Sequence, residues 1–182
     1  MKKIMFSDKF GLTRAVLNGT KTPTRRVVPE SVILEYTQYE DFTIIDAAKY
    51  DVGEIVAVAQ AYNDFYDDTC NLLLFPSGAG WTNKMFVKSE LMPRQIRITD
   101  VRIERLQDIS DEDCIKEGIV NDPPPGIDAS CFCYTKNGFY YGNYDTPREA
   151  YAALIDKVSG KGTWERNPYV FVYEFELVKV II

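Results

Sequence analysis

A chain of 182 residues with 46% hydrophobic and 26% charged residues has the composition of a globular protein, and its length suits one buried core better than two domains. Its 21 basic residues against 27 acidic ones give a formal net charge of -6. This balance argues against a protein that grips long nucleic acid through many phosphates, so any nucleic-acid contact must come from a local basic cluster or involve a small ligand.

No histidine occurs anywhere in the chain. Its absence removes Ser-His-Asp and Cys-His catalysis, histidine zinc sites and imidazole acid–base chemistry. The four cysteines, at positions 70, 114, 131 and 133, include one Cys-x-Cys pair without a second pair of metal ligands. This arrangement favours free thiols and predicts neither a metal nor a cofactor. Any catalysis must therefore use Lys, Thr, Ser, Tyr, Cys, Asp or Glu.

No run of residues approaches the ~18–20 apolar positions that a membrane span needs. The two lysines near the N-terminus are not followed by the apolar stretch of a signal peptide. We therefore expect a cytoplasmic protein with no membrane partner. The sequence does not indicate the oligomeric state.

The first 28 residues predict a strand, a helix and a second strand, at residues 3–6, 7–18 and 24–28. Ser7 or Asp8 supplies the helix cap. Gly19 ends the helix, because only glycine enters the left-handed conformation at that position cheaply. Pro23 pushes Thr22 out of helical space, so the loop between helix and strand is stiff.

The middle of the chain predicts four strands, at residues 32–36, 42–45, 54–62 and 95–105. A turn at residues 50–53 precedes the third strand, and residues 63–84 form a loop or insertion that contains the run Pro-Ser-Gly-Ala-Gly. In the fourth strand the apolar alternation shifts by one place between Ile98 and Val101. This shift predicts a β-bulge at residues 99–100.

The last third of the chain predicts two helices and a closing strand. Ser110 caps the first helix and Gly118 ends it, whereas Thr146 caps the second. Residues 121–145, between the two helices, form a surface excursion or lid. The closing strand directs alternating aromatic side chains towards the core, namely Tyr169, Phe171, Tyr173 and Phe175.

Short strands with few long helices, in no regular alternation, predict the α+β class and a small β-barrel with flanking helices. No internal repeat or low-complexity linker divides the chain. We therefore expect a single domain over residues 1–182, with insertions at about 63–84 and 121–145.

The densest group of chemically useful side chains follows the first predicted helix, where three cations and three hydroxyls fall within seven residues. Arginine binds an anion through two parallel hydrogen bonds, lysine acts as a point charge, and threonine orients a polar ring. A solvated basic loop is the alternative, because most charged side chains lie on the surface. The candidate ligand-binding residues in this segment are Lys21, Thr22, Thr24, Arg25 and Arg26.

The pattern Gly19-x-Lys21-x-x-x-x-Arg26 resembles the signature of the ASCH family. Further segments follow in the family's order, at residues 50–54, 98–102, 106–109, 112–119 and 164–170. The ordered set resembles the longer ASCH proteins of phage and bacterial genomes. The resemblance implies a PUA-like β-barrel that binds RNA, a nucleotide or a modified nucleoside in the cleft beside the signature.

One branch of that family, the small bacterial N(4)-acetylcytidine amidohydrolases, uses a lysine, a threonine and a glutamate. The resemblance implies these catalytic roles for Lys21, Thr24 and Glu117. A lysine desolvated near Arg25 or Arg26 can have a lowered pKa and deprotonate the threonine, and the glutamate can protonate the departing amine. The alternative for Glu117 is a solvent-facing residue near a helix C-terminus, where its charge opposes the helix dipole.

Three classes of function stay open on the sequence. The first is a module that binds RNA or a modified nucleoside over Lys21, Thr24 and Arg26, and the second is an amidohydrolase that adds Glu117 as a third catalytic group. The third is an interaction protein that kept the fold and lost the ligand. Trp164 either packs within the protein or stacks on a base as a further ligand-binding residue. The position of the Glu117 carboxylate relative to Lys21 distinguishes the first two classes.

Overall fold

The structure is a computed structural model that describes residues 1–38, 43–65, 78–121 and 131–178. Its strands are β1 (Lys3–Ile4), β2 (Pro23–Val27), β3 (Ile55–Val58), β4 (Gln95–Arg105), β5 (Phe132–Lys136), β6 (Phe139–Tyr144) and β7 (Tyr169–Val178). Five of them form a mixed sheet in the order β1-β3-β4-β7-β2, and β5 pairs with β6 in a separate hairpin. Within the main sheet, β1 runs parallel to β3 and the other neighbours are antiparallel.

The long antiparallel pair of β4 and β7 forms the centre of the sheet. The register between the two strands shifts between Ile98 and Asp100, so the predicted bulge is confirmed. Both faces of β7 are buried over residues 170–173, where Val170 and Val172 are as inaccessible as Tyr173.

The helices are α1 (Leu12–Leu17), α2 (Glu30–Gln38), α3 (Tyr62–Phe65), α4 (Asp111–Lys116), α5 (Pro147–Ser159) and α6 (Thr163–Arg166). Two predicted caps are confirmed. The Ser110 hydroxyl accepts from the Asp113 N–H at 3.1 Å, and the Thr146 hydroxyl accepts from the Glu149 N–H at 3.2 Å. Each cap satisfies a backbone donor that the helix itself leaves unpaired.

The first helix is shorter than its sequence predicts. It begins at Leu12, after Gly11 in the left-handed conformation (φ 67°), so the predicted cap at Ser7 or Asp8 is wrong. The carbonyl groups of Ser7 and Asp8 instead accept backbone hydrogen bonds of the turn that precedes the helix. The helix ends as predicted, with Gly19 in the left-handed conformation at φ 75°.

Two predicted strands after β2 are wrong. Residues 32–36 belong to α2, whose first turn is started by the Pro29 carbonyl as it accepts from the N–H groups of Val32 and Ile33. Ile44–Ala47 forms a short 3-10 helix where a strand was predicted at residues 42–45. Residue 42 itself lies outside the described residues. Short apolar runs fit a helix and a strand equally well, and here the side chains of Val32 and Ile33 pack on the core from a helix.

Both predicted insertions contain regular structure. The stretch 121–145 includes the β5–β6 hairpin, which turns at Asn137 and Gly138, both with positive φ. Residues 139–143 of β6 are exposed, whereas Cys133 and Tyr134 of β5 are buried, so one strand of the hairpin lies at the surface and the other packs inward. Residues 122–130, together with 66–77 of the insertion at 63–84, lie outside the described residues.

The α+β class is confirmed, and no closed barrel is found among the described residues because β1 and β2 lie at opposite edges of the sheet. The main core lies between the sheet and α1, α4 and α5. Cys114, Cys131 and Cys133 are buried and form no disulfide with a described residue. Among the described residues, no helix has the length and apolar character needed to cross a membrane.

Candidate active site

The end of α1 places Lys21 inside the protein. After the left-handed Gly19, the backbone N–H groups of Thr20 and Lys21 both donate to the Ala15 carbonyl, at 2.9 and 3.1 Å. The chain therefore turns back tightly beneath the helix before β2 begins at the edge of the sheet. This turn carries the Lys21 side chain inward, and only 1% of the residue stays exposed.

Lys21 lies in direct contact with Glu117, the residue that follows α4. The Lys21 Nζ donates to the carboxylate oxygen Oε2 of Glu117 and, at 3.0 Å, to its backbone carbonyl. Glu117 is 5% exposed, so the solvent-facing alternative for this residue is wrong. A carboxylate at a helix C-terminus is disfavoured by the helix dipole, and buried cations must compensate for it.

Burial lowers the pKa of Lys21 below its ordinary value of 10.5. The Glu117 carboxylate acts in the opposite direction, whereas the positive charges of Arg26 and Arg25 lower the pKa further. The net direction is downward, so Lys21 releases its proton more readily than an exposed lysine does. A general base requires this property.

Arg25 connects three carboxylates from two different elements. Its Nε donates to Glu104 of β4 at 2.7 Å, and its two terminal nitrogens donate to Asp113 of α4 at 2.8 Å and to Glu117 at 3.2 Å. Burial opposes the charge of Arg25, but the carboxylates outweigh it and raise the pKa of the guanidinium. Arg25 thereby fixes α4, and with it the Glu117 carboxylate, against the edge of the sheet.

A cavity of about 230 Å³ opens above the Lys21–Glu117 pair. Polar side chains form its floor, namely Lys21, Thr24, Arg25, Glu117 and Tyr151. Apolar side chains form its walls, namely Met5, Phe6, Leu12, Leu154, Ile155 and Val158. The cavity therefore joins a small group of convergent polar groups to an apolar enclosure, which is typical of small-molecule sites.

Two hydroxyl-bearing side chains complete the floor. Thr24 lies on β2 and is 4% exposed, and Tyr151 lies on α5 and is 2% exposed. The Tyr151 hydroxyl has no hydrogen-bond partner among the described residues. Burial, followed by the negative charge of Glu117, raises the pKa of Tyr151 well above its ordinary value. The phenol therefore keeps its proton at neutral pH.

Two arginines stand at the rim of the cavity. Arg26 donates to the Met5 carbonyl and lies over the Phe6 ring, 5.6 Å from its centroid. Arg166 donates to the Thr163 hydroxyl at 3.1 Å. Neither arginine forms an ion pair with an acidic residue in the described parts of the chain. Their charges are available to a ligand at the mouth.

Two of the predicted ligand-binding residues lie outside this cavity. Thr22 borders a separate cavity of about 70 Å³, next to Asp113 and Glu174. Trp164 packs edge-on against the Tyr151 ring, with centroids 6.1 Å apart, and does not line the cavity. The structure thus brings together Lys21, Thr24, Arg25, Arg26 and Glu117, and it separates Thr22 and Trp164 from them.

Sequence reasoning missed Tyr151, Asp113 and Glu104. Tyr151 belongs to the apolar face of a predicted helix, where an aromatic residue normally packs in the core. The two acidic residues lie in a predicted strand and a predicted helix start, and nothing local indicates that both turn towards Arg25. The cluster of cations at residues 21–26 was a partial signal that such acidic partners exist, because a buried arginine requires them.

Comparison with protein-family models, with curated proteins and with solved structures finds no match. The similarity to the ASCH family therefore stays a prediction. Within the described residues, no group of three or more His, Cys, Asp or Glu side chains could hold a metal ion.

Proposed function

We propose that this protein hydrolyses a small amide on a modified nucleoside such as N4-acetylcytidine, with Lys21, Thr24 and Glu117 as its catalytic residues. One observation carries the proposal: the Lys21 Nζ contacts the Glu117 carboxylate inside a cavity that Thr24 also lines. The binding of a nucleoside without chemistry does not require a carboxylate at this position.

The size of the cavity supports a small ligand. The cavity measures about 230 Å³, which is below the range of about 300–1,000 Å³ of sites for drug-sized ligands. It therefore suits a ligand no larger than one nucleoside and is too small for a folded RNA. Within the described residues, Tyr151 is the buried donor of this floor that has no partner, because Lys21 and Arg25 already donate to protein carboxylates. An unpaired donor favours a ligand that brings a carbonyl oxygen.

In the first half of the proposed reaction, a proton passes from the Lys21 ammonium to the Glu117 carboxylate along their hydrogen bond, and the neutral amine then takes the proton from the Thr24 hydroxyl. The threonine oxygen forms a bond to the acyl carbon, and the carbonyl oxygen becomes an oxyanion. When this intermediate collapses, the carbon–nitrogen bond breaks and protonated Glu117 gives its proton to the departing amine. The products are the free nucleoside and an acyl ester on Thr24.

In the second half, Glu117 takes a proton from water while the water oxygen attacks the ester carbon. The bond between the threonine oxygen and the acyl group breaks, and the Lys21 ammonium returns its proton to Thr24. The carboxylic acid leaves, and the proton on Glu117 returns to Lys21, so each side chain regains its first protonation state. The cycle requires no histidine, metal or cofactor.

We further propose that the chain is an ASCH protein with a PUA-like barrel. The order of its motif-like segments along the whole chain supports this assignment. The hydrogen bond from Arg26 to the Met5 carbonyl also supports a barrel. It connects β2, at one edge of the sheet, to the residue that follows β1, at the other edge.

A second candidate function is the binding of RNA or a nucleotide without turnover. The specific observation in its favour is the pair of rim arginines, Arg26 and Arg166, which form no ion pair with a described acidic residue. A phosphate group beside the bound base would meet both of them, and arginine is suited to phosphate.

The test is to incubate the purified protein with N4-acetylcytidine and to follow the release of cytidine and acetate. Lys21→Met, Thr24→Val and Glu117→Gln preserve side-chain volume and remove one chemical group each. We expect turnover in the wild type and a loss of at least about 100-fold in each variant, since acid–base catalysis contributes about 10²–10⁴-fold. Thermal unfolding of each variant shows whether it is folded.

Thr20→Val is the matched control, because this exposed threonine hydroxyl donates to the Ala15 carbonyl away from the cavity. It should keep wild-type turnover. An inactive wild type that still binds cytidine nucleotides saturably would favour the second candidate function. An inactive wild type that binds no nucleoside or nucleotide would contradict both.

A further inference from the structure

Tyr151 is a buried polar group that the proposed reaction does not yet use. It lies on α5 and lines the cavity, and 2% of the residue is exposed. Its hydroxyl has no hydrogen-bond partner among the described residues. An unsatisfied buried hydroxyl is destabilising, and a hydrogen-bond acceptor on a ligand in the cavity would remove this cost.

The surroundings of the phenol define what this partner must be. Tyr151 lines the same cavity as Glu117 and Arg25, so its ring lies near these two charged groups. The carboxylate already accepts from Arg25 through Oε1 and from Lys21 through Oε2. Because the phenol keeps its proton, it offers a donor, and the missing partner is a hydrogen-bond acceptor.

The ring of Tyr151 is held firmly in place. Trp164 packs edge-on against it, and Trp164 is in turn fixed by its backbone N–H, which donates to the Asp156 carboxylate at 2.8 Å. The neighbouring residues Ala150 and Leu154 of α5 are also buried. A donor on a rigid element does not have to reorganise when charge develops on its acceptor, which is the requirement for stabilising a transition state.

We infer that the Tyr151 hydroxyl donates a hydrogen bond to the carbonyl oxygen of the scissile amide and stabilises the oxyanion that forms when Thr24 attacks. This role rests on the proposed function. It also defines the substrate class further: the ligand must direct an acyl oxygen towards α5, so carbonyl-bearing substituents are accepted and N4-alkyl substituents are not.

The experiment compares wild type with Tyr151→Phe, which removes the hydroxyl and keeps the ring. With N4-acetylcytidine as substrate, kcat should fall by about 10²–10³, the loss seen when one oxyanion donor is removed. KM should change by less than a factor of about three, because the hydrogen bond strengthens mainly in the transition state. A variant that keeps wild-type kcat would overturn the inference and leave the proposed function intact.

A second measurement requires no substrate. Tyr173→Phe is the matched control, because Tyr173 is equally buried but its hydroxyl accepts from the Lys49 N–H at 2.9 Å. Its Tm should fall, since a satisfied hydrogen bond is lost. The Tm of Tyr151→Phe should equal or exceed that of the wild type, since no intramolecular bond is lost.

The two measurements separate the inference from the proposed function. If the wild type fails to hydrolyse N4-acetylcytidine, the proposed hydrolysis is wrong, and the comparison of Tm values still decides whether Tyr151 is an unengaged donor. A Tm of Tyr151→Phe that falls as far as that of Tyr173→Phe shows a structural hydroxyl and overturns the inference. Intact stability with lost kcat supports it.

Discussion

The Lys21–Glu117 pair brings two opposite charges into a site that is almost inaccessible to solvent. Removing charges from water is expensive, and the attraction between them offsets this only when both partners are present. Arg25 adds a third charge that Glu104 and Asp113 help to neutralise. A hydrophobic group of similar volume would stabilise such a site at least as well, so the charges point to chemistry rather than to stability.

The energy of the buried pair can be measured with a double-mutant cycle. Lys21→Met should destabilise the protein by about 3–5 kcal/mol, because it leaves Glu117 with one cation only. The double variant with Glu117→Gln should be more stable than the sum of the single effects predicts, with a coupling of about 1–3 kcal/mol. Urea unfolding gives the four free energies.

The matched control cycle uses the exposed pair of Lys2 and Glu54, whose charged atoms lie 2.9 Å apart. Its coupling should be much smaller than that of the buried pair, because solvent screens an exposed ion pair. Equal couplings in the two cycles would show that burial adds nothing to the Lys21–Glu117 interaction.

The lowered pKa of Lys21 has a consequence for stability against pH. Between the pKa of the folded protein and the ordinary value of 10.5, the unfolded chain binds more protons at this residue than the folded chain does. The free energy of unfolding must therefore rise with pH across that interval. We expect the wild type to gain stability relative to Lys21→Met between neutral pH and pH 10.5, measured by urea unfolding in matched buffers. A relative loss over this interval would contradict the lowered pKa.

Individual residues differ in how far their roles could be predicted. The Lys21 segment was predictable because its residue types and spacing are unusual, and similarity to a family pointed to Glu117. Tyr151 was not predictable, because its position on a helix fits ordinary core packing and only the fold shows that the residue lines a cavity and that its hydroxyl has no partner among the described residues. For Trp164 the sequence leaves both core packing and ligand stacking open, and the structure shows that its ring packs against Tyr151.

At the scale of elements, short helices with precise ends position the site. α4 ends where Glu117 meets Lys21, and α6 supports the ring that packs on Tyr151. Caps that use side-chain oxygens were visible in the sequence, and Ser110 and Thr146 behave as predicted. The strand predicted at residues 32–36 was wrong because a short apolar run fits the periodicity of a strand and of a helix equally well. Pro29 is the signal for a helix, since it directly precedes the first residue of α2.

The start of α6 depends on a residue of another helix. The Asp156 carboxylate of α5 accepts from the backbone N–H groups of Gly162 and Trp164, at 2.9 and 2.8 Å, and these bonds lower its pKa. Asp156→Ala should destabilise the protein by about 0.5–2 kcal/mol, as the loss of a helix cap does. Asp156→Asn retains an acceptor and should lose less.

Urea unfolding at neutral pH measures both variants. Because the pKa of Asp156 is lowered on folding, its contribution is present above the ordinary value of 3.8 and is lost as the pH falls through the folded value. The difference between wild type and Asp156→Ala should therefore shrink in acid. A difference that stays constant down to the lowest pH would show that the carboxylate charge is irrelevant to the cap.

At the scale of the whole molecule, thiol reactivity tests the packing of the core. Burial raises the pKa of Cys114 to about 12, and Cys131 and Cys133 are buried as well. Since the thiolate is the reactive form, a Cys70→Ser variant should react with a thiol reagent only as fast as it unfolds. Denaturant should accelerate labelling in step with unfolding. Immediate labelling of a thiol in the native protein would contradict this core.

The distribution of charge over the molecule limits how nucleic acid could bind. The chain carries a net charge of -6, whereas the cavity mouth carries Arg26 and Arg166. Each phosphate contact of a single strand contributes about -0.7 to the slope of log affinity against log salt, so two arginines predict a slope of about -1.4. Because the chain as a whole is acidic, we expect no further phosphate contacts, and the slope should not steepen when a short RNA oligonucleotide is lengthened.

Fluorescence titration of labelled oligonucleotides at several salt concentrations measures this slope. Arg26→Gln should reduce its magnitude by about 0.7. Arg97→Gln is the control, because Arg97 is paired with Glu176 at 3.2 Å on β4 and β7 and does not line the cavity. A slope that grows with every added nucleotide would mean that RNA runs along an extended surface of the protein. In that case the expectation that nucleic acid contacts only the local basic cluster around Lys21, which rests on the net negative charge of the chain, would be wrong.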